Sequence, residues 1–370
     1  MATNMTASTD LPLLPSYTLS EAPDFISWLP DFYLSAVGPV IAYWGLSLIF
    51  HIMDVYDLFP QYRLHTPAEI VQRNRATRFE VFRDVIVQQL IQIGLAIVLT
   101  LTDPPQMVGS EEYDVAVWAT RVRLAQRGLP ALLGLLGINA ASVSKNMALS
   151  HPFLAGALAG GHYPFLTTMV DATDGSSVAA FATWELMVAK AIYWLIIPSI
   201  QFLTAIIVVD TWQYFAHRGM HMNKWAYTKF HAHHHRLYVP YAFGALYNTP
   251  FEALADTLGA GLAYKVGFLS VKQGIVFFIF STIKTVDDHC GYALPWDPLQ
   301  HLTGNNASYH DIHHQSWGIK TNFSQPFFTF WDRSLGTMWK GDTTLRYERS
   351  RNNAANILAA EAKKSSAKAQ

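Results

Sequence analysis

Between Asp31 and Asp54 the chain runs for 22 residues, Phe32 to Met53, without one Asp, Glu, Lys or Arg. At about 1.5 Å per residue, a helix of that length crosses a hydrocarbon layer roughly 30 Å thick. Lipid leaves such a segment few alternatives, because every backbone N–H and C=O must find its partner internally. A second uncharged run, Val85 to Thr102, follows a linker that carries Arg63, Arg73, Arg75, Arg78 and Arg83. Composition agrees: 51% of the 370 residues are hydrophobic and only 14% are charged, against about a quarter charged in soluble domains.

Charge placement predicts a topology. No Lys or Arg precedes Arg63, so the basic start of a cleavable signal peptide is missing, and residues 1–31 are expected to form a lumenal polar tail. The Arg-rich linker then belongs in the cytosol. Of three glycosylation acceptor patterns, beginning at Asn4, Asn306 and Asn322, only Asn4 is expected to face the lumen. Residues 103–184 hold Gly-rich apolar pieces that fit lumenal packing, re-entrant segments or two extra crossings equally well. Ala191 to Val209, with Pro198 as an expected kink, returns the chain to the cytosolic face. The apolar stretch Tyr241 to Lys284, broken by Glu252, Asp256, Lys265 and Lys272, is expected to make a hairpin of two short arms.

The expected fold is therefore an all-α integral membrane protein. It has about four transmembrane helices in two hairpins, under a cytosolic cap lined with histidine. The parts expected are the tail (1–31), a first hairpin (32–102), a lumenal or re-entrant region (103–184), a histidine-bearing domain (185–340) and a cytosolic polar tail (341–370), which from Asn352 on is expected to be a frayed helix. A net charge of −1 gives no basic surface for nucleic acid.

Nine of the fifteen histidines form a spaced pattern: His217-x3-His221, His231-x2-His234-His235, His289, and His310-x2-His313-His314. Helical residues at i, i+3 and i+4 share a face, so each cluster can aim two or three imidazoles at one point. One HxxHH is expected by chance in only about one such sequence in fifty, and two occur here. One metal takes at most four to six ligands, so nine imidazoles imply two metals. In the second box, His233 projects opposite the other three on a regular helix, which makes it the odd one out. The single cysteine, Cys290, excludes an intrachain disulfide framework and a Cys-ligated zinc or iron–sulfur site. Asp210, seven residues before His217, is either an orienter of an imidazole or a charge marking the helix exit.

The boxes, with Asp288-His289-Cys290-Gly291-Tyr292 between them, resemble the fatty acid hydroxylase superfamily of integral-membrane di-iron oxygenases. Thr285 to Pro298, followed by Asn305-Asn306-Ala307 and Tyr309-His310-Asp311, is similar within it to the fungal sphingolipid C4-hydroxylases. The resemblance covers Asp210 to Gly336, with the first helix and its linker more loosely, and leaves 103–180 outside. It implies two iron ions held by His217, His221, His231, His234, His235, His289, His310, His313 and His314, with Asp210, Asp288, Asp311 and Asn306 as supporting residues. It also implies O2, electrons from NADPH through a reductase and cytochrome b5, and a site in the endoplasmic reticulum membrane facing the cytosol. His151-Pro152 is followed by Phe153 rather than the glycines of a haem-binding His-Pro-Gly-Gly, so the carrier is expected in trans. Arg218, Lys224, Lys229 and Arg236 are candidates to dock it, or a basic rim facing phospholipid.

Hydroxylation of a sphingoid base or dihydroceramide at C4 is the expected activity. A sterol C4-methyl oxidase or a lipid desaturase shares the boxes. A zinc hydrolase would use the same ligands without redox chemistry, and a histidine-based metal transporter or pH sensor is the reading without catalysis.

Overall fold

A computed structural model describes residues 11–169 and 177–369; Asn4 and its acceptor pattern lie outside them. In chain order the helices are α1 (Asp31–Val55), α2 (Pro67–Arg73), α3 (Arg78–Thr102), α4 (Glu111–Gln126), α5 (Leu129–Leu135), α6 (Ala140–Met147), α7 (Pro152–Leu158), α8 (Thr183–Met222), α9 (Pro250–Val266), α10 (Val271–Asp288), α11 (Ala307–His314) and α12 (Thr344–Ala369), with short turns between them. Three are long and apolar enough to cross a membrane: α1, α3 and α8. All three leave large apolar side chains uncovered by protein, among them Ile41 and Ile49, Leu90 and Val98, and Leu203 and Ile207.

The expected arms of the second hairpin are present as α9 and α10, of 17 and 18 residues, but neither is among these three spans. Their limits follow from local chemistry. Thr249 caps α9 by accepting from the Glu252 N–H, with Pro250 as the first helical residue, where its missing N–H costs nothing. Ser270 and Gln273 form a reciprocal capping box at the start of α10. Thr66 with Glu69 and Thr77 with Glu80 do the same for α2 and α3, a pairing that satisfies two otherwise orphaned donors at once.

The chain divides into two compact units. In the unit made of Met1–Ala22 and Pro105–Ile200, β1 (Ser20–Glu21) pairs antiparallel with β2 (Met107–Val108), and β3 (Thr167–Met169) with β4 (Ser177–Ala179). Its helices α4 to α7 run 16 residues or fewer, and none of them is among the three helices long and apolar enough to cross a membrane. A buried ion pair of Arg123 with Glu185 at 2.5 Å holds it, with Gln126 and Tyr163 hydrogen-bonded alongside. Inside α8 the hydrogen-bond ladder widens to a π turn over Ile192–Ile196, just ahead of Pro198. That is the local adjustment expected next to a residue that has no N–H to give.

The unit made of Pro23–Pro104 and Gln201–Gln370 carries every box. Helix α1 packs most extensively on α10, and α9 on α3. Gly38 permits the first approach, since a Cβ there would stand 2.9 Å from Ile279 Cδ1, and Gly259 takes the Trp212 ring at 2.1 Å from where a Cβ would be. Tyr43, Phe50, Val85, Leu237, Tyr247, Val286 and Tyr292 form its main core. The Arg-rich linker is tied to the loop after α10: Leu64 N donates to Gly291 O at 3.0 Å and Ala293 N to Tyr62 O at 2.9 Å. The C-terminal helix is docked at its start, ahead of Asn352. Tyr347 donates to Asp311 at 2.5 Å and Ser350 to Glu69 at 2.6 Å.

Candidate metal centre

His217 and His221 stand one turn apart near the end of α8. Asn223 then stops that helix and starts the next turn by accepting from Trp225 and Ala226 N–H at 3.0 and 3.1 Å. The second box is not the regular helix that the sequence projection assumed. Its backbone opens into a π turn over Tyr227–His231 and tightens into a 3-10 turn at His234–Arg236. His235 follows His231 by four positions, still one turn, so those two imidazoles converge, whereas His234 is turned aside. The third box lies on α11, capped by Asn306 through the Tyr309 N–H at 2.9 Å.

The nine imidazoles fall into two groups, His217, His221, His231, His235 and His313 in one and His234, His289, His310 and His314 in the other. Within each, the candidate ligand atoms lie within 4.8 Å of one another. In the first group, Nε2 of His217 is 3.0 Å from that of His231 and 3.2 Å from that of His221, and His235 is 3.1 Å from His221 and 3.0 Å from His231. In the second, His289 to His310 is 3.0 Å, His310 to His314 is 3.1 Å and His314 to His234 is 3.2 Å. Nitrogens about 2.1 Å from one ion stand about 3.0 Å apart at right angles and about 3.4 Å apart in a tetrahedron. The spacing matches an ion with five or six ligands and is tight for tetrahedral zinc.

Six of the nine have the far nitrogen anchored. Nδ1 donates to carbonyl oxygens in His217 (Phe323, 2.9 Å), His234 (Tyr247, 3.2 Å), His289 (Thr285, 2.8 Å), His313 (Thr321, 2.7 Å) and His314 (Leu237, 2.8 Å). In His231 it meets Glu252 Oε1 at 2.5 Å. An imidazole whose Nδ1 carries the proton presents Nε2 as a lone pair, which fixes the tautomer a metal needs. Nε2 of His313 is buried without a partner. Burial first, and then the neighbouring imidazoles, push His231, His235, His310, His313 and His314 well below the ordinary histidine range. They are therefore neutral donors. A dense, buried set of neutral nitrogen atoms with few other partners has the chemistry to hold a metal ion.

The four acidic and amide residues expected to support the imidazoles sit elsewhere. Asp210 does not reach one: it accepts from the backbone N–H groups of Phe327 and Phe328 at 3.0 and 2.7 Å. Asp288 pairs with the fully buried Lys284 and accepts from Asn305 at 2.9 Å. Asp311 takes His65 Nε2 at 2.9 Å and the Tyr347 hydroxyl, and Asn306 is the cap of α11. Each fixes a backbone or helix that carries a histidine, one step back from the ring. The carboxylate that touches one of the nine imidazoles is Glu252, expected from the sequence only as an interruption of an apolar arm. An acidic residue that interrupts an otherwise apolar stretch was itself the available signal.

His233 belongs to neither group and meets Asp84 at 2.7 Å on the outside. Of the four basic candidates, Lys224 and Lys229 are exposed, whereas Arg236 is engaged with Glu80 at 3.0 Å and with the Arg75 carbonyl.

A cavity reaches both groups of imidazoles, touching His231, His234, His289 and His310. Near them its wall is polar, with Gln88, Gln92, Gln213, Asn248, Glu252, Asp256 and Ser281. Farther along it is apolar, with Pro39, Val40, Leu95, Leu99 and Phe278. Gln88 and Leu99 are eleven residues apart on α3, roughly 16 Å of helix, so the wall changes character along most of a bilayer leaflet.

A family model described as fatty acid hydroxylase matches residues 202–337. The chain is 40% identical to a sphingolipid C4-hydroxylase of Saccharomyces cerevisiae, over 88% of this chain and 77% of that protein. It is 40% identical to the corresponding protein of Schizosaccharomyces pombe, over 85% and 91%, and 37% identical to sphinganine C4-monooxygenase 1 of Arabidopsis thaliana, over 83% and 87%. No solved structure matches.

Proposed function

The chain belongs to the fatty acid hydroxylase family, and from that premise we propose that it is a membrane monooxygenase that hydroxylates C4 of a long-chain sphingoid base, sphinganine to phytosphingosine. The observation that carries this reading is the cavity: polar where it meets the imidazoles and apolar beyond. C4 of such a lipid lies one carbon from the polar head, with the whole hydrocarbon tail on its other side. A wall that changes from polar to apolar beside the metal centre matches that arrangement.

Two iron ions are assigned to the nine imidazoles, five to one and four to the other. When bound, they supply the activation of O2 and the removal of hydrogen from an unactivated carbon, which zinc does not. The chain's own part is placement. The Nδ1 anchors keep the nitrogens aimed before any metal arrives, and the apolar wall holds the tail so that one methylene faces the centre. The packed helices keep bulk water from the reacting carbon.

Electrons are assigned to NADPH by way of cytochrome b5 and its reductase in trans, with exposed Lys224 and Lys229 as contacts for an acidic carrier. The centre is assigned to the cytosolic face of the endoplasmic reticulum membrane, beside the Arg-rich linker. Incubating membranes that contain the protein with sphinganine, NADPH and 18O2 tests the activity. One labelled oxygen atom at C4 is expected. A desaturated product without label, or product formed without NADPH, overturns it.

A further inference from the structure

The cavity holds more carboxylate than the metal centre uses. Glu252 and Asp256 stand one turn apart on α9, and both line it. Glu252 spends Oε1 on His231; its Oε2 is buried without a partner, on a residue 4% exposed. Asp288, also on the wall, is satisfied by Lys284 and Asn305. Asp256 has no such counter-charge. Its Oδ2 accepts from Asn248 Nδ2 at 3.1 Å, and Gln213 lies beside it. Among the described residues that line the cavity, none is a lysine or an arginine. Two more buried atoms of this wall, Asn248 Oδ1 and Ser281 Oγ, lack partners. A carboxylate on the wall of a cavity that supplies it no cation is costly, as are the buried acceptors without partners around it, and a ligand that brings a positive charge and several N–H donors removes both costs together.

We propose that Asp256, with Glu252 Oε2 and Asn248 Oδ1 beside it, binds the ammonium group of an unacylated long-chain amino alcohol, so that the site takes the free sphingoid base rather than its N-acyl derivative. This rests on the C4-hydroxylase reading. In that substrate the amine is on C2, two carbons from C4, so its binding site must lie next to the metal centre. Glu252, hydrogen-bonded to a candidate ligand, is next to it. An ammonium offers three donors. An N-acyl substrate offers one amide N–H and no charge, leaves Asp256 without a counter-charge, and brings a second chain into a cavity walled there by polar side chains.

The test is equilibrium binding, without reductant, to the full-length iron-loaded protein in lipid nanodiscs. The probes are radiolabelled sphinganine and N-acetylsphinganine, which share the diol and the chain and differ in charge. The wild type is expected to prefer sphinganine by about thirtyfold or more, the scale on which a buried charge pair is lost. Asp256→Asn, which keeps shape and hydrogen bonding, is expected to weaken sphinganine by most of that factor and leave N-acetylsphinganine unchanged, with iron content unaltered. Should it fail to insert, Asp256→Ser is read the same way. Equal wild-type affinity for the two probes, or an equal loss for both in the variant, overturns the proposal. Turnover with 18O2 is read separately. A binding preference without C4 hydroxylation sinks the activity and keeps the amine site; hydroxylation without a preference does the reverse.

Discussion

His234 and His235 are consecutive in the chain, yet they serve different groups: His235 Nε2 lies 3.1 Å from His221 Nε2, and His234 Nε2 lies 3.2 Å from His314 Nε2. The π turn before them and the 3-10 turn at them send adjacent side chains to opposite groups of imidazoles. His313 and His314 are divided in the same way. Replacing one member of such a pair therefore dismantles one position and leaves the other its full donor set. His235→Ala and His234→Ala are each expected to cut iron from about two ions toward one per chain and to reduce activity by at least about a hundredfold. Iron analysis on purified protein checks this, and full loss of both ions in each variant would show that the two positions fill only together.

His233→Ala is expected to keep iron and most of its activity. It gives up the contact with Asp84, a partly exposed pair worth no more than about 1 kcal/mol. A variant as inactive as His234→Ala at equal expression would remove the assignment of His233 to the outside.

Glu252→Gln exchanges the carboxylate on His231 Nδ1 for an amide. Losing the charge that holds this imidazole's tautomer is expected to reduce iron affinity or activity by about ten- to a hundredfold. Metal titration of the apoprotein reads it directly, and wild-type affinity would leave Glu252 without a role at the centre.

The contacts beneath the third box titrate. Burial opposes charge on His65, but Asp311 and Glu69 outweigh it and hold its pKa up at about 9, above its ordinary 6.5. Stability from this charge is complete below pH 6.5 and is lost as pH rises through 9, on the order of 3 kcal/mol. Burial also opposes charge on Glu69, but hydrogen bonds from His65, Ser350 and the Thr66 backbone hold it down to about 2, from 4.5. Its contribution is complete above pH 4.5 and fades as pH falls toward 2. Thermal melts from pH 6 to 9.5 should show a falling midpoint in the wild type and a flatter one in His65→Gln; parallel curves would remove His65 as the source.

An N-terminal tag in sealed right-side-out microsomes is expected to resist protease, because the first charged linker is basic and belongs to the cytosol. A cleaved tag would invert the orientation assigned above.

The sequence by itself determined the elements that depend on local rules. Uncharged runs long enough to cross a bilayer became α1, α3 and part of α8, since lipid leaves the backbone few other ways to pair. The histidine spacing singled out the nine residues that gather in the structure, and the curated relatives agree with the family that this spacing resembles. Only the tertiary structure decided how the nine divide, because a π turn and a 3-10 turn are responses to packing and no helical projection contains them. It also decided the partners of buried charge. Asp210, Asp288 and Asp311 are near histidines in sequence but bond to backbone, Lys284 and His65, whereas Glu252 finds His231 from 21 positions away in the chain. Short-range spacing reports which side chains share a face. Which face meets which is settled by helices packing around a common cavity, where each buried polar atom takes whatever partner the fold brings to it.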